Sequence, residues 1–563
     1  MPDRLSALDA SFLYLEQPTT AMHVGSVMIF HPGPVPFSYD RLVQHVAARI
    51  AYVPRYRQRV RAVPGRLANP VWVDDENFDI TYHVRRSALP RPGTATQLQE
   101  LVARLQARHL DRDRPLWELI LVEGLVDGRF AVLTKVHQAL VDGVHAVDLG
   151  QVVLDDDPDV HEPPQLPWHP VSEPSAVELL VGAVADSVRR PQAVVDTLRS
   201  GIGDVRAMAG KTVETLSGLA FAARTATRPT QRSPLNPDIG EHRRFLMVST
   251  DLEDYRRIRN HLLAGPRRRR RVGAAVGRRN ATTARVGLDP VAPATAGTAA
   301  GPGPAPATGP GTATGTATAT GTATGSGTGL PPGAPVTGAG APNTPTGNGA
   351  AATPSTRPRT ATTVNDVVLT VVAGALRTWL MTRGEAVPPK SMVRALVPMS
   401  VRADDPSQAG AVGSRVASLL VDLPTGEPSP LMRLHQISYQ TKAHREAGQA
   451  GNAPAIAGIA GFAPPTLHSL GARAASGLSR RMFNLVITNV PGPQQPLYLL
   501  GSRMLASYPV IPLARGQALS IGLTSYDGGV YYGLNGDREA MPDLEVLGQC
   551  ITDALAEMVE AVR

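Results

Sequence analysis

His137-Gln138-Ala139-Leu140-Val141-Asp142-Gly143 follows directly on Phe130-Ala-Val-Leu-Thr-Lys-Val136. The earlier run has the length and apolar character of a buried strand. Past the Asp-Gly pair, Val144-His-Ala-Val-Asp-Leu149 carries its apolar residues at helical spacing, and Gly143 permits the tight turn between the two. Strand, turn and helix in this order predict an α/β unit with His137 and Gln138 at a strand end. An imidazole there is well placed to act as a general base, because its pKa lies near the operating pH. The adjoining Gln138 carries an amide, which hydrogen-bonds but takes no proton near neutrality.

Outward from this stretch, residues 1–160 mix strands and helices. Val24 to Phe30 and Phe130 to Val136 read as strands, Tyr39 to Ala51 and Gln97 to His109 as helices. Residues 161–232 read as helical. Ser175-x-x-Glu178 is a capping box, and Val177, Leu180, Val181, Val184 and Val188 repeat at helix spacing until Pro191 interrupts. The pattern resumes at Val195, Leu198, Ile202 and Val205, with Arg189, Arg190, Arg199, Arg206 and Lys211 interspersed. It fits first a crossover helix pair packed on the body and second a surface that touches lipid, and the two readings are compatible. From Phe245 the mixed pattern returns. Leu396–Val401, Val416–Leu423, Asn484–Thr488, Ala518–Ser525 and Val530–Asn535 read as strands, and Val367–Leu380 and Leu544–Val562 as helices.

Residues 264–361 interrupt this second unit. They begin with Arg267 to Arg271 and continue into Gly-Thr-Ala-Thr repeats rich in proline, without an aromatic residue. Such a segment buries too little apolar surface to offset chain entropy, so disorder is the expectation. It also holds ten arginines against one acid, Asp289, and so accounts for the net charge of +8. The rest of the chain is close to neutral, which argues against nucleic-acid binding. The segment reads first as a tolerated repeat expansion in a surface loop, and second as a contact of the arginine cluster with an anionic membrane.

No run approaches the ~18 uninterrupted apolar residues of a transmembrane helix, and Met1-Pro-Asp-Arg-Leu5 does not open like a signal peptide. The single cysteine, Cys550, excludes an intrachain disulfide and fits a reducing compartment; the expected location is cytoplasmic. There is no Gly-x-Ser-x-Gly elbow, no phosphate loop around Gly210-Lys-Thr212, and no Cys/His set with zinc spacing.

Further segments join the opening stretch in a recognisable order: Leu5-Ser-Ala-Leu-Asp9 with Met22-His-Val-Gly25, Arg114-Pro115-Leu116-Trp117-Glu118, Ser233-Pro-Leu-Asn236 with His242-Arg-Arg-Phe245, Val364-Asn365-Asp366-Val-Val-Leu369, Ala395 to Arg402, Gly413-Ser-Arg-Val416 and Thr488-Asn-Val-Pro-Gly-Pro493. Together they resemble the bacterial wax ester synthase/diacylglycerol acyltransferase family, whose signature is His-His-x-x-x-Asp-Gly. The departures are Gln138 at the second His and Ser414 where Asn is usual.

The resemblance implies an α/β protein of two similar lobes with the coenzyme A-dependent acyltransferase fold, mixed sheets flanked by helices and joined by a helical crossover. The lobes would be 1–160 and 233–563, the crossover 161–232, with 264–361 inserted. It implies acyl transfer from acyl-coenzyme A, a substrate rather than a cofactor, to diacylglycerol or a long-chain alcohol at a membrane or lipid-inclusion surface. No cofactor or metal is implied. His137, Gln138, Asp142 and Gly143 would form the catalytic motif, with Gln138 where relatives carry the base. Strand neighbours point to opposite sides, so His137 would not stand in for it, and His145 reads as a surface residue. Asp142 would pair with an arginine, Arg402 being the candidate. Asn365 and Asp366 would support the cleft from the second lobe, and Pro115-Leu116-Trp117 would pack beneath the site. A pseudoenzyme that binds acyl-coenzyme A or neutral lipid is the alternative, and the inserted arm as the working part a third reading.

Overall fold

The described strands form two six-stranded sheets and one two-stranded sheet. The first half runs α1 (Ala7–Leu15), β1 (His23–His31), α2 (Tyr39–Ile50), β2 (Gln58–Arg61), β3 (Val71–Asp74), α3 (Ile80–His83), β4 (Val84–Ala88), α4 (Ala95–Ala107), β5 (Trp117–Glu123), β6 (Phe130–His137), α5 (Gln138–Val141) and α6 (Leu149–Val153). The second half runs β7 (Arg243–Asp251), α7 (Leu252–Ala264), α8 (Val364–Thr382), β8 (Val393–Val401), β9 (Arg415–Leu423), α9 (Pro430–Glu446), β10 (Leu485–Pro491), β11 (Tyr498–Leu499), β12 (Ser502–Val510), β13 (Leu519–Tyr526), β14 (Gly529–Asp537) and α10 (Leu544–Ala561). The computed structural model describes residues 2–34, 36–141, 149–159, 167–182, 230–231, 233–264, 362–401, 415–446 and 482–563. The expectations for Asp142, Gly143, His145, Arg402 and Ser414, for the insertion beyond 264, and for the crossover beyond 182 lie outside these residues.

β6 is buried along its whole length, as an apolar run without alternation requires. It sits inside a six-stranded sheet of order β11-β12-β1-β6-β5-β4. Pairing is antiparallel except between β4 and β5. The polar exception in β6, Lys135, is 1% exposed. Its Nζ donates to the carbonyls of Leu105, at 3.0 Å, and Arg108. A buried ammonium thus closes the C-terminal end of α4, where backbone carbonyls otherwise lack partners. Burial pushes the Lys135 pKa down to about 8, against the pull of Glu118.

The second sheet has the order β7-β14-β13-β10-β8-β9. β10 runs parallel to both β13 and β8, and the other pairs are antiparallel. α8 lies in its core and begins with a capping box in which Thr363 and Asp366 exchange side-chain and backbone hydrogen bonds. By length and composition α8 could cross a membrane, yet 72% of its apolar window is buried inside the protein.

Boundaries shift where caps decide them. Thr94 and Gln97 form a capping box that starts α4 at Ala95, and extended backbone at Arg108 ends it at Ala107, two residues short of the expected His109. In the crossover, Ser175 and Glu178 form the predicted box. Leu179 turns inward against Val71 and Val73, while Val177 and Val181 stay exposed.

One strand crosses the expected division of the chain. β12, from the C-terminal half, pairs with β1 from Gly25↔Val510 to His31↔Arg503. A shared apolar cluster then joins the lobes: Val27, Leu98, Val102 and Leu133 pack with Phe245, Tyr508 and Val510. Glycine makes the approach possible. A Cβ placed on Gly533 of β14 would lie 1.8 Å from the Pro509 carbonyl oxygen.

Candidate active site

The polar residues at the end of β6 rest on an aromatic floor. Pro115, Leu116 and Trp117 are buried, and the Leu116 carbonyl accepts the His137 N–H at 3.0 Å. Trp117 donates its indole N–H to the Tyr56 carbonyl at 2.8 Å and stacks on His83 with ring centroids 4.7 Å apart. His83 Nδ1 in turn lies 2.8 Å from the Trp117 carbonyl oxygen. Burial pushes the His83 pKa down to about 4. This triple packing backs the end of β6.

His137 is 1% exposed. The Ala139 N–H donates to its Nδ1 at 3.0 Å, so the ring serves as a cap for the first turn of α5. A nitrogen that accepts a hydrogen bond carries no proton, and the neutral ring therefore holds its proton on Nε2. Nε2 faces Glu16 Oε2 at 3.9 Å, beyond hydrogen-bond reach. Burial pushes the His137 pKa down to about 4, against the raising influence of Glu16.

Glu16 was not singled out in the sequence, yet it organises this corner. Its side chain is 5% exposed. Arg112 Nε donates to Oε2 at 2.9 Å and its Nη2 to the same oxygen. Oε1 lies 3.2 Å from His109 Nδ1 and accepts the Met22 N–H at 3.3 Å. Burial opposes ionisation, but His137, Arg112 and His109 outweigh it, and the carboxyl is held below its ordinary range. Met22 passes the arrangement on, since its carbonyl accepts the Gln138 N–H at 2.9 Å. The only sequence signal was an acid closely followed by the Met22-His23 segment. Its partners, near residues 110 and 137, meet it only through tertiary structure.

Gln138 is the first residue of α5 and is partly exposed, unlike its buried neighbours His137 and Ala139. Among the described residues its side-chain amide has no hydrogen-bond partner. His23 pairs across the sheet with His137. It is also buried, with Nε2 2.7 Å from the Gln106 carbonyl oxygen.

The second-lobe residues lie at the start of α8. Asp366 is 1% exposed. Its carboxylate accepts from the Thr363 N–H at 2.8 Å and from the Thr441 hydroxyl of α9 at 2.7 Å. That is a cap and an anchor between helices. Asn365 Oδ1 accepts from Asn489 Nδ2 at 3.1 Å, which ties α8 to the end of β10. Its own Nδ2 is buried without a partner, as is the Thr488 hydroxyl. No group of three or more metal-ligating side chains occurs among the described residues.

Residues 5–264 match the wax ester synthase/diacylglycerol acyltransferase catalytic domain and residues 412–559 the C-terminal domain of the same family. A Mycobacterium tuberculosis protein named probable diacylglycerol O-acyltransferase tgs3 is 46% identical over 263 residues, covering 46% of this chain and 96% of that protein. The probable diacylglycerol O-acyltransferase tgs2 of the same organism is 29% identical over 587 residues, covering 100% of this chain and 99% of its own length. Among solved structures, the wax ester synthase/diacylglycerol acyltransferase from Marinobacter aquaeolei VT8 is similar with a TM-score of 0.57 and 25% identity, covering 99% of each chain. Two mixed six-stranded sheets with flanking helices are those of the two-lobed coenzyme A-dependent acyltransferase fold. Within that class, the chain belongs to the wax ester synthase/diacylglycerol acyltransferase family.

Proposed function

We propose that this protein transfers a fatty acyl group from acyl-coenzyme A to diacylglycerol or a long-chain alcohol, making triacylglycerol or wax ester. The observation that carries the reading is 46% identity over 263 residues, 96% of its length, to a protein named as a probable diacylglycerol O-acyltransferase. In this reaction the acceptor oxygen attacks the thioester carbonyl. A C–O bond forms, the C–S bond breaks, and the hydroxyl proton ends on the coenzyme A sulfur. No cofactor takes part.

The proton is the difficulty, because a hydroxyl is a weak nucleophile until a base removes it. We read Gln138 as occupying the base position. Its partly exposed amide can orient the acceptor hydroxyl but takes no proton. His137 does not replace it, since Nδ1 is committed to Ala139 and Nε2 already carries hydrogen. Loss of a general base costs about 10²–10⁴ in rate, roughly 3–5 kcal/mol of barrier. We assign Asp142 and Gly143 to the turn, Arg402 to the pairing of Asp142, and Asn365 and Asp366 to the support of the cleft. We assign the protein to the cytoplasm, peripheral to a lipid surface; the exposed Val177 and Val181 support the lipid contact.

Gln138 also favours a second reading, binding of acyl-coenzyme A without turnover. An acyl-transfer assay with diacylglycerol and hexadecanol on the parent and on Gln138→His separates the two. Transfer by both proteins, faster in the variant, supports the enzyme. Acyl-coenzyme A binding by both, with turnover by neither, supports the binding protein.

A further inference from the structure

A small polar cavity lies where the lobes meet, lined by His23 of β1, Gln106 of α4, Arg243 of β7, Asn535 of β14 and the Pro512-Leu513 segment. Three of these side chains each send one buried atom without a hydrogen-bond partner: His23 Nδ1, Gln106 Nε2 and Asn535 Oδ1. The residues are 2%, 5% and 4% exposed. A buried polar atom left unpaired is costly, so three around one cavity call for a shared partner.

The chemistry of that partner follows from the atoms. His23 Nε2 faces the Gln106 carbonyl at 2.7 Å. A carbonyl only accepts, so Nε2 holds the hydrogen and Nδ1 presents a lone pair. Burial, followed by the nearby Lys135 charge, holds the His23 pKa well below its ordinary value and keeps the ring neutral. Asn535 Nδ2 donates to the Ile511 carbonyl at 2.8 Å, which fixes the amide with Oδ1 as an acceptor. Gln106 Nε2 is a donor. The cavity therefore offers two acceptors and one donor. Arg243 does not turn it into an anion site. Its Nη1 donates to the carbonyls of Gly240 and His242 at 2.8 and 3.1 Å, its Nη2 to that of Thr19, and Asp537 stands 3.7 Å from Nη1. Two lone pairs repel an anion, and the adjacent guanidinium and Lys135 repel a cation.

We propose that this cavity is a binding site for one structural water molecule, which donates to His23 Nδ1 and Asn535 Oδ1 and accepts from Gln106 Nε2. The space fits, since the centre of a water molecule can move within about 10 Å³, close to the minimum for one bound water. A water is the smallest neutral species with two donating hydrogens and an acceptor lone pair. It bridges β1 and α4 of one lobe to β14 of the other, on the strand position that pairs with His137.

A high-resolution crystal structure of the full chain should contain a water-sized density peak within hydrogen-bond distance of all three atoms. A peak with anomalous scattering, or no peak, overturns the proposal. A thermal double-mutant cycle on Gln106→Met and Asn535→Leu gives an independent reading. With a shared water, the second substitution costs less once the first has broken the bridge, so the double variant's midpoint falls by less than the sum of the two single shifts. Additive shifts would mean that the two side chains share no partner, and the water bridge would be wrong.

Discussion

The Ala139 N–H donates to His137 Nδ1 at 3.0 Å, so the ring caps the turn in its neutral form, and burial holds it neutral at ordinary pH. Its pKa of about 4 lies below the ordinary ~6.5, so between these values the unfolded chain binds a proton that the folded chain refuses. The stability contribution is complete above pH ~6.5 and is lost as pH falls towards 4. His137→Asn keeps an acceptor near the Ala139 amide and deletes the titration. The fall in urea-unfolding stability between pH 7 and pH 4.5 should shrink by about 2–3 kcal/mol in this variant. An unchanged pH slope would show that His137 titrates normally in the fold.

Gln138→His should raise acyl transfer to diacylglycerol or hexadecanol by at least about tenfold, since it restores an imidazole where an acceptor proton must leave. The parent is the control. If it is fast, unaffected by this change and abolished by His137→Ala, then His137 is the working base despite its cap.

Gly533→Ala should destabilise the protein by about 1–3 kcal/mol, the usual cost of overpacking, because the new methyl would sit 1.8 Å from the Pro509 carbonyl oxygen. Gly240→Ala is the matched comparison. There the nearest atom, Asp537 Oδ2, is 3.7 Å away, and the chemical-denaturation midpoint should barely move.

Deletion of residues 266–360 should leave the thermal midpoint nearly unchanged, because the composition of this segment offers no apolar face to a core. A fall of more than about 5 °C, of order 1 kcal/mol or more in a domain of this size, would mean that it packs on the body.

The sequence was most legible where hydrophobic period and burial agree. β6 reads as a buried strand because every position is covered, and α10 reads as a helix because its apolar face is regular. β12 escaped although Met504, Ala506, Tyr508 and Val510 alternate inward, because Pro509 lowers its strand reading and half of the alternating residues are small or polar. β5 is hard to read as a strand because Pro115-Leu116-Trp117 reads as a packing motif, and the strand begins only at Trp117. In the site, His137 and Gln138 stood out by their neighbours in the chain. Glu16, Arg112 and His109 did not, because a carboxylate's meaning depends on charges that only folding brings beside it. Asp366 shows the same limit from the other side. Its motif was visible, while its bonds to Thr363 and Thr441 make it a fastening between helices.

The pairing of β12 with β1 bears on how the protein is made. While the ribosome is still translating residues up to 497, β1 presents an unpaired row of backbone donors and acceptors along one side, an edge that invites pairing with another chain. The first sheet gains its last two strands only after Val510 has emerged. Until then that edge of β1 stays open, and β12 is the strand that covers it.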